Sequence, residues 1–129
     1  MPRPALTTIL IVDDDTLVRN AAAAVLKKLG YRTIAAKDGE EALGIFAEQA
    51  AQIDLVMLDL RMPGMQGAEV FHRLLGIDPN ARIVIATGTP EAIDASPELR
   101  DYAAGFAYKP YGLSDLASVV KKALESKSP

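Results

Sequence analysis

The chain alternates between short runs of consecutive apolar residues and longer stretches whose apolar positions recur every three or four residues. The apolar runs begin near residues 9, 32, 55, 83 and 105. A run of about four apolar residues without a polar break fits a strand buried on both faces, as in the middle of a parallel sheet. The pattern predicts strands over 7–12, 32–36, 54–58, 82–87 and 105–108, the second of them shorter and nearer an edge. Helices are predicted between them. The first spans 16–29, with Val18, Ala22, Val25 and Leu29 inward and Gly30 as its stop. Asp38 caps the second, with Glu41 as its capping-box partner and Ala42, Phe46 and Ala50 inward. A loop through Gly64 and Gly67 leads into the third, over 67–76, and Asp78-Pro79-Asn80 is a turn. The fourth is broken or mobile. Thr89-Pro90 can open it, but Pro97 removes a backbone donor and disfavours helical geometry at Ser96, so a regular part is expected only over 98–103. The last helix spans 113–126, with Leu113, Leu116, Val120 and Ala123 inward, and a polar tail covers 125–129. Strand alternating with helix predicts an α/β fold, a parallel sheet with helices on both faces. The 129 residues read as one domain, 1–129, with a core over about 7–126 and no repeat or linker.

Four predicted strands run straight into polar groups. Leu55-Val56-Met57-Leu58 ends in Asp59, and Arg61-Met62-Pro63-Gly64 then turns the chain, because Pro63 cannot donate and Pro-Gly is a strong turn signal. Ile9-Leu10-Ile11-Val12 ends in Asp13-Asp14-Asp15, Ile83-Val84-Ile85-Ala86 in Thr87-Gly88, and Phe106-Ala107-Tyr108 in Lys109-Pro110. Open α/β sheets place their ligand sites at the carboxyl ends of strands. One such edge would therefore hold carboxylates, a hydroxyl and an ammonium.

Composition narrows the chemistry. Half of the chain is hydrophobic, enough for a core and unlike the signature of disorder. Lys+Arg 14 against Asp+Glu 17 gives a net charge of −3, which argues against a basic nucleic-acid surface. The absence of cysteine excludes disulfides, a thiolate nucleophile and Cys-ligated metal. Met1-Pro2-Arg3-Pro4 lacks the apolar core of a secretory signal, and no apolar run approaches the ~20 residues of a membrane span. A soluble, cytoplasmic chain with no membrane contact is the expectation.

If the strands bearing Asp13, Asp14 and Asp59 are neighbours, like charges converge, and a hard divalent cation relieves that cost. Mg²⁺ takes oxygen ligands, commonly one or two carboxylates with waters and a phosphate oxygen. Arg61 is the nearest candidate to add a backbone carbonyl. A carboxylate beside Mg²⁺ can attack a phosphoryl group to give an aspartyl phosphate. The incoming oxygens then need donors and positive charge, which Thr87 and Lys109 carry, while Gly88 leaves room.

On these residues the sequence resembles the receiver (response-regulator) domains of two-component signalling. Asp13-Asp14, Asp59 with Met62-Pro63-Gly64, Thr87 and Lys109-Pro110 match that family's motifs, and the resemblance covers about 7–126. It implies a flavodoxin-like, doubly wound (βα)5 fold with a five-stranded parallel sheet in the order 2-1-3-4-5. It implies Asp59 as phosphoacceptor for a histidine kinase or phosphotransfer protein. It implies Mg²⁺ on Asp14, Asp59 and the Arg61 carbonyl, with Asp13 acting through water, and Thr87 and Lys109 on the phosphoryl oxygens. It also implies a switch: Thr87 moves inward, Phe106 rotates, and the face of the fourth helix, fifth strand and last helix changes its affinity for an unidentified protein partner. The chain departs from the family in three places. Phe106 has no hydroxyl where many receivers carry Tyr, so packing alone would drive the switch. Gly112 replaces a frequent Ser or Thr cap, at little cost. The break at Pro97 is more similar to receivers of hybrid histidine kinases or standalone ones, and implies that the fourth helix gives no stable dimer face. These 129 residues leave no expectation of a DNA-binding output domain among them.

Simpler roles suit several residues. Asp15 reads as a helix cap or surface acid, His72 as a surface residue without an acid–base partner, and Lys121-Lys122 as a solvated helix end. The Arg61 side chain reads as exposed and overhanging the site. Two rival functions stand beside the receiver. One is a pseudo-receiver interaction module that is never phosphorylated. The other is a small aspartate-nucleophile phosphatase, since Asp13-Asp14-Asp15-Thr16-Leu17 is superficially similar to the haloacid-dehalogenase motif. That motif's register fails by one residue here and the chain has no room for a cap domain. Sustained hydrolysis of p-nitrophenyl phosphate would distinguish it.

Overall fold

A computed structural model describes residues 7–94 and 96–125. The strands are β1 (Thr8–Val12), β2 (Arg32–Ala36), β3 (Leu55–Asp59), β4 (Ile83–Thr87) and β5 (Gly105–Tyr108), close to the ranges read from the pattern. They form one parallel sheet in the order β2-β1-β3-β4-β5, the doubly wound order expected. The helices are α1 (Thr16–Lys28), α2 (Gly39–Gln49), α3 (Gly67–Ile77), α4 (Glu91–Asp94), α5 (Pro97–Tyr102) and α6 (Leu113–Glu125). A 3₁₀ turn over Ala50–Gln52, which the apolar pattern does not signal, follows α2.

The uninterrupted apolar strands are explained by two cores, one on each face of the sheet. Leu10, Val12, Val56, Leu58, Ile83 and Ile85 point to one face and meet Phe46 of α2, Phe71 and Leu74 of α3, Ile93 of α4 and Leu99 of α5. Their neighbours Ile9, Ile11, Leu55, Met57, Val84 and Ala86 point the other way and meet Ala22 and Leu26 of α1 and Leu116, Val120 and Ala123 of α6. Period-two alternation puts adjacent residues on opposite faces, and both faces are covered, so every position is apolar. β2, at the edge, is buried only at Ala36.

Two helix faces differ from the periodicity. In α1 the buried residues are Ala22 and Leu26, with Val18 and Val25 half-buried, and Leu29 is 41% exposed because it lies just beyond the last helical residue. In α6 Leu113, the first residue, is 56% exposed, since it precedes the part that lies over the sheet. The break in the fourth helix is present. Ser96 is extended, its side chain accepts from the Leu99 amide, and Pro97 takes the first position of α5, where no donor is needed. The helical turn over Glu91–Asp94 before the break is additional to the regular part expected over 98–103. The end of the last helix at 126 and the tail beyond it lie outside the described residues. Among those described, no helix is long and apolar enough to cross a membrane.

Candidate functional site

The chain leaves β1 for one side of the sheet and β3 for the other, so the crevice between their carboxyl ends is the topological switch point. Val12 pairs with Leu58 across these strands, which sets Asp13 directly after β1 beside Asp59, the last residue of β3. Thr87 ends β4 and pairs with Tyr108, so Lys109 follows on the next strand outward. The four strand ends singled out in the sequence therefore converge.

Lys109 joins them. Its ammonium lies 2.9 Å from Asp13 Oδ2 and 3.4 Å from Asp59 Oδ2. Its amide donates to the Thr87 carbonyl at 2.8 Å, and the Lys109–Pro110 peptide is cis. Asp13 and Asp59 are buried, 3% and 5% exposed, whereas Asp14 is exposed. Each of these three acids offers an oxygen within 4.8 Å of the others. The donors are all carboxylate oxygen, with no imidazole or thiolate among them, which fits a hard cation such as Mg²⁺ and not zinc. The resemblance implies Mg²⁺ here, and Asp14 is exposed beside two buried acids, so the cluster is reachable from solvent.

Local hydrogen bonds aim these groups. Asp13 Oδ1 accepts from the Asp15 amide at 2.9 Å, and Asp15 in turn caps α1 through the amides of Leu17 and Val18. Arg19 of α1 donates to the Asp13 carbonyl at 2.7 Å. Asp59 Oδ1 accepts from the Arg61 amide at 3.2 Å, so the turn after β3 orients the carboxylate within two residues. That loop folds back over Leu60. A Cβ on Gly67 would stand 2.5 Å from the Leu60 Cα, so only glycine permits this return, and Gly64 takes the positive φ of +84 that the turn requires. Thr87 is fully buried, and its hydroxyl accepts from the Thr89 amide at 3.0 Å. A Cβ on Gly88 would meet only the Lys109 Cβ, at 3.8 Å, so crowding does not demand glycine there.

The charges of the trio act on one another. Burial raises the Asp59 carboxyl above the ordinary range; Lys109 opposes that rise and Asp13 adds to it. Burial works against the Lys109 ammonium, but its bonds to Asp13 and the charge of Asp59 prevail and hold it above the ordinary lysine value. The arrangement is a buried nucleophile candidate, a fixed cation and a metal-competent acidic pair on one edge.

Other residues fall as read, with one exception. Asp15 is a cap. The Arg61 side chain is exposed and its guanidinium lies 3.5 Å from the Thr89 hydroxyl, across the mouth of the site. Phe106 is half-buried against the core on the α5 side. Gly112 immediately precedes α6, and its amide donates to Asp115 Oδ2 at 3.1 Å, so an acid in the first turn supplies the half of a capping box that needs no hydroxyl on residue 112. The exception is His72, which does have a partner: its Nδ1 lies 3.0 Å from Glu98 on α5, at the surface. Arg19 and Thr89 were not singled out by the sequence. The Arg19 side chain donates to a main-chain carbonyl and Thr89 donates its own amide to Thr87, and a main-chain acceptor or donor has no signature of its own.

A doubly wound α/β fold with an acidic switch point bearing Asp, Thr and Lys at four strand ends is the arrangement that the resemblance to receiver domains implies. The family model described as the response regulator receiver domain matches residues 9–121, and the chain belongs to that family. It is 39% identical over 122 residues to "Sporulation initiation phosphotransferase F" of Bacillus subtilis, covering 93% of this chain and 95% of that protein. It is 34% identical to the "Sensor kinase CckA" of Brucella abortus, covering 92% of this chain but only 12% of that protein. Among solved structures, the response regulator protein TrrA from Thermotoga maritima, in complex with Mg(2+)-BeF, aligns with TM-score 0.81 and 30% identity, covering 92% of this chain and 99% of that one. Both standalone-length and hybrid-kinase receivers are therefore among its relatives.

Proposed function

We propose that Asp59 accepts a phosphoryl group from the phosphohistidine of a histidine kinase or phosphotransfer protein. The observation that carries this is the Lys109 ammonium held between Asp13 and Asp59 at the switch point. An Asp59 oxygen attacks phosphorus, the P–N bond breaks, and the bond's electron pair leaves with the donor imidazole. The charge arriving on the equatorial oxygens meets the Thr87 hydroxyl from the neighbouring strand end and the Lys109 ammonium from the one beyond it. Asp14, Asp59 and the Arg61 carbonyl would hold Mg²⁺ directly and Asp13 through water; when bound, the ion neutralises the acids and the incoming phosphoryl charge. The remaining chemistry is self-catalysed loss of the phosphoryl group to water, with no turnover of a separate substrate.

The output follows from the same geometry. Thr87 shares β4 with Ala86 and pairs across to β5, which carries Phe106. Movement of the Thr87 hydroxyl toward a phosphoryl oxygen gives up its bond from the Thr89 amide and lets Phe106 turn inward. The face of α4, α5, β5 and α6 is then read by a protein partner in the cytoplasm. The TrrA complex supports the Mg²⁺ reading, since that relative is titled with Mg(2+)-BeF bound.

Incubation with monophosphoimidazole and Mg²⁺ tests the proposal. The expected product carries one label, stable in mild acid and released by hydroxylamine, as an acyl phosphate is. A hydroxylamine-resistant label would place the phosphoryl group on a hydroxyl and overturn it. An unlabelled chain that also ignores Mg²⁺ with beryllofluoride would overturn it in favour of an interaction module.

A further inference from the structure

Among the three acids, two are aimed by side-chain contacts and one is not. Asp13 is held by Lys109 and the Asp15 amide, and Asp59 by Lys109 and the Arg61 amide. Asp14 is exposed and its carboxylate makes no hydrogen bond among the described residues, so only the backbone that carries it sets where its Cα–Cβ bond points. That peptide has one hydrogen bond among the described residues: its carbonyl, on Asp13, accepts from Arg19 Nη1 at 2.7 Å. The same guanidinium reaches the Thr16 hydroxyl at 3.5 Å, and the Arg19 amide donates to the Asp15 carbonyl at 2.8 Å. Arg19 is therefore fixed at both ends on the first turns of α1.

We propose that Arg19 is a positioning residue of the acidic site: by clamping the Asp13 carbonyl to α1 it sets the plane of the Asp13–Asp14 peptide and aims Asp14 at the two buried acids. The inference rests on the reading of Asp13, Asp14 and Asp59 as a Mg²⁺ site. Two effects of Arg19 oppose each other, and their balance gives the test its sign. As a cation near three carboxylates it weakens metal binding by repulsion. As a clamp it strengthens binding by removing the freedom of Asp14 before the ion arrives. A charged hydrogen bond of 2.7 Å to the Asp13 carbonyl is short and strong, while the guanidinium makes no ion pair with these carboxylates among the described residues, so its repulsion of an ion acts at longer range and is screened. The clamp prevails.

The experiment is titration of the metal-free full chain with Mg²⁺ alone, followed by calorimetry and by amide resonances, for the native chain, Arg19→Met and Arg19→Lys. Methionine keeps the apolar stem, and thermal melting checks that the variant folds. Loss of an outer partner of a metal ligand typically costs 10–100-fold in affinity, so Arg19→Met is expected to bind Mg²⁺ about tenfold more weakly, with the Asp14 amide displaced. Arg19→Lys restores a cation and one donor and is expected to recover most of the loss. Unchanged or tighter binding by Arg19→Met overturns the proposal, because charge removal alone tightens it. In the native chain, Arg19 guanidinium protons that exchange as freely as those of exposed Arg100 overturn it whatever the variants do. A native chain with no Mg²⁺ response overturns the site reading itself.

Discussion

Lys109 sits between two buried carboxylates, and its removal gives the most quantitative test of the electrostatics. At an effective dielectric constant of about 20, the ammonium gains about 6 kcal/mol from Asp13 at 2.9 Å and about 5 kcal/mol from Asp59 at 3.4 Å. The two acids offer oxygens within 4.8 Å, so their mutual repulsion on the same scale is at least about 3 kcal/mol and is left bare when the lysine goes. Desolvation offsets much of the gross attraction, and removing one partner of a buried pair costs about 3–5 kcal/mol net. The lysine side chain keeps 23% exposure against 5% and 6% for the acids, so Lys109→Met belongs at the lower end, about 3 kcal/mol. With ~2.1 cal/mol/K of unfolding entropy per residue, 129 residues turn that into a fall in Tm of about 11 °C without Mg²⁺ near neutral pH. The loss has a pH signature. Lys109 is raised in the fold, so its contribution is fully present below the ordinary lysine range and disappears as pH rises through its folded value. In the variant the bared repulsion fades as the raised Asp59 carboxyl takes up a proton, so native and variant chains converge in acid. Millimolar Mg²⁺ is expected to stabilise the variant more than the native chain, because it relieves the same repulsion. Differential scanning calorimetry from pH 3 to 8, with and without Mg²⁺, measures the neutral deficit, the convergence in acid and the Mg²⁺ effect. A variant within 2 °C of native at pH 7, or a deficit as large in acid as at neutrality, refutes the reasoning.

Further outcomes are expected from single positions. Asp59 is raised by burial, so its ionised form opposes folding; Asp59→Asn is expected to raise stability above the carboxylate range and leave it unchanged in acid, as urea melts at two pH values would show. Gly67→Ala drives a methyl into the Leu60 backbone and is expected to cost about 1–3 kcal/mol in denaturant melts, with weakened Mg²⁺ binding as the loop after Asp59 shifts. Arg61→Ala removes a guanidinium lying by Thr89 across the mouth of the site and is expected to change the rate of phosphoryl loss; an unchanged rate shows that the side chain is a bystander. The short helices α4 and α5, of 4 and 6 residues, are expected to exchange amide protons faster than α3 or α6, and dimers built on them in light scattering would contradict that.

The sequence carried the sheet order only by resemblance, but the strand ends were legible from the residues. Each apolar run stops at a polar residue because the carboxyl edge is where the two-sided core ends, and Asp59, Thr87 and Lys109 all stand at that boundary. The Pro97 break was legible because proline acts locally. Faces at helix termini were not: periodicity assigns Leu29 and Leu113 to the inner stripe, but no sheet lies beneath those ends. Nor was the His72–Glu98 pair, which joins residues 26 apart across two helices. Arg19 escaped for a different reason: it binds a carbonyl, and every residue has one. The site's side chains could be read from their order along the chain, whereas the main-chain bonds that aim them required the folded geometry.

The central claim is that Asp59 is the phosphoacceptor. Intact mass after incubation with acetyl phosphate and Mg²⁺, with Asp59→Asn alongside, addresses it most directly. A single phosphoryl adduct on the native chain, absent without Mg²⁺ and absent in Asp59→Asn, is the predicted result. An adduct that persists in Asp59→Asn would contradict the account, because the phosphoryl group would then sit on a residue other than the one Lys109 and Thr87 surround.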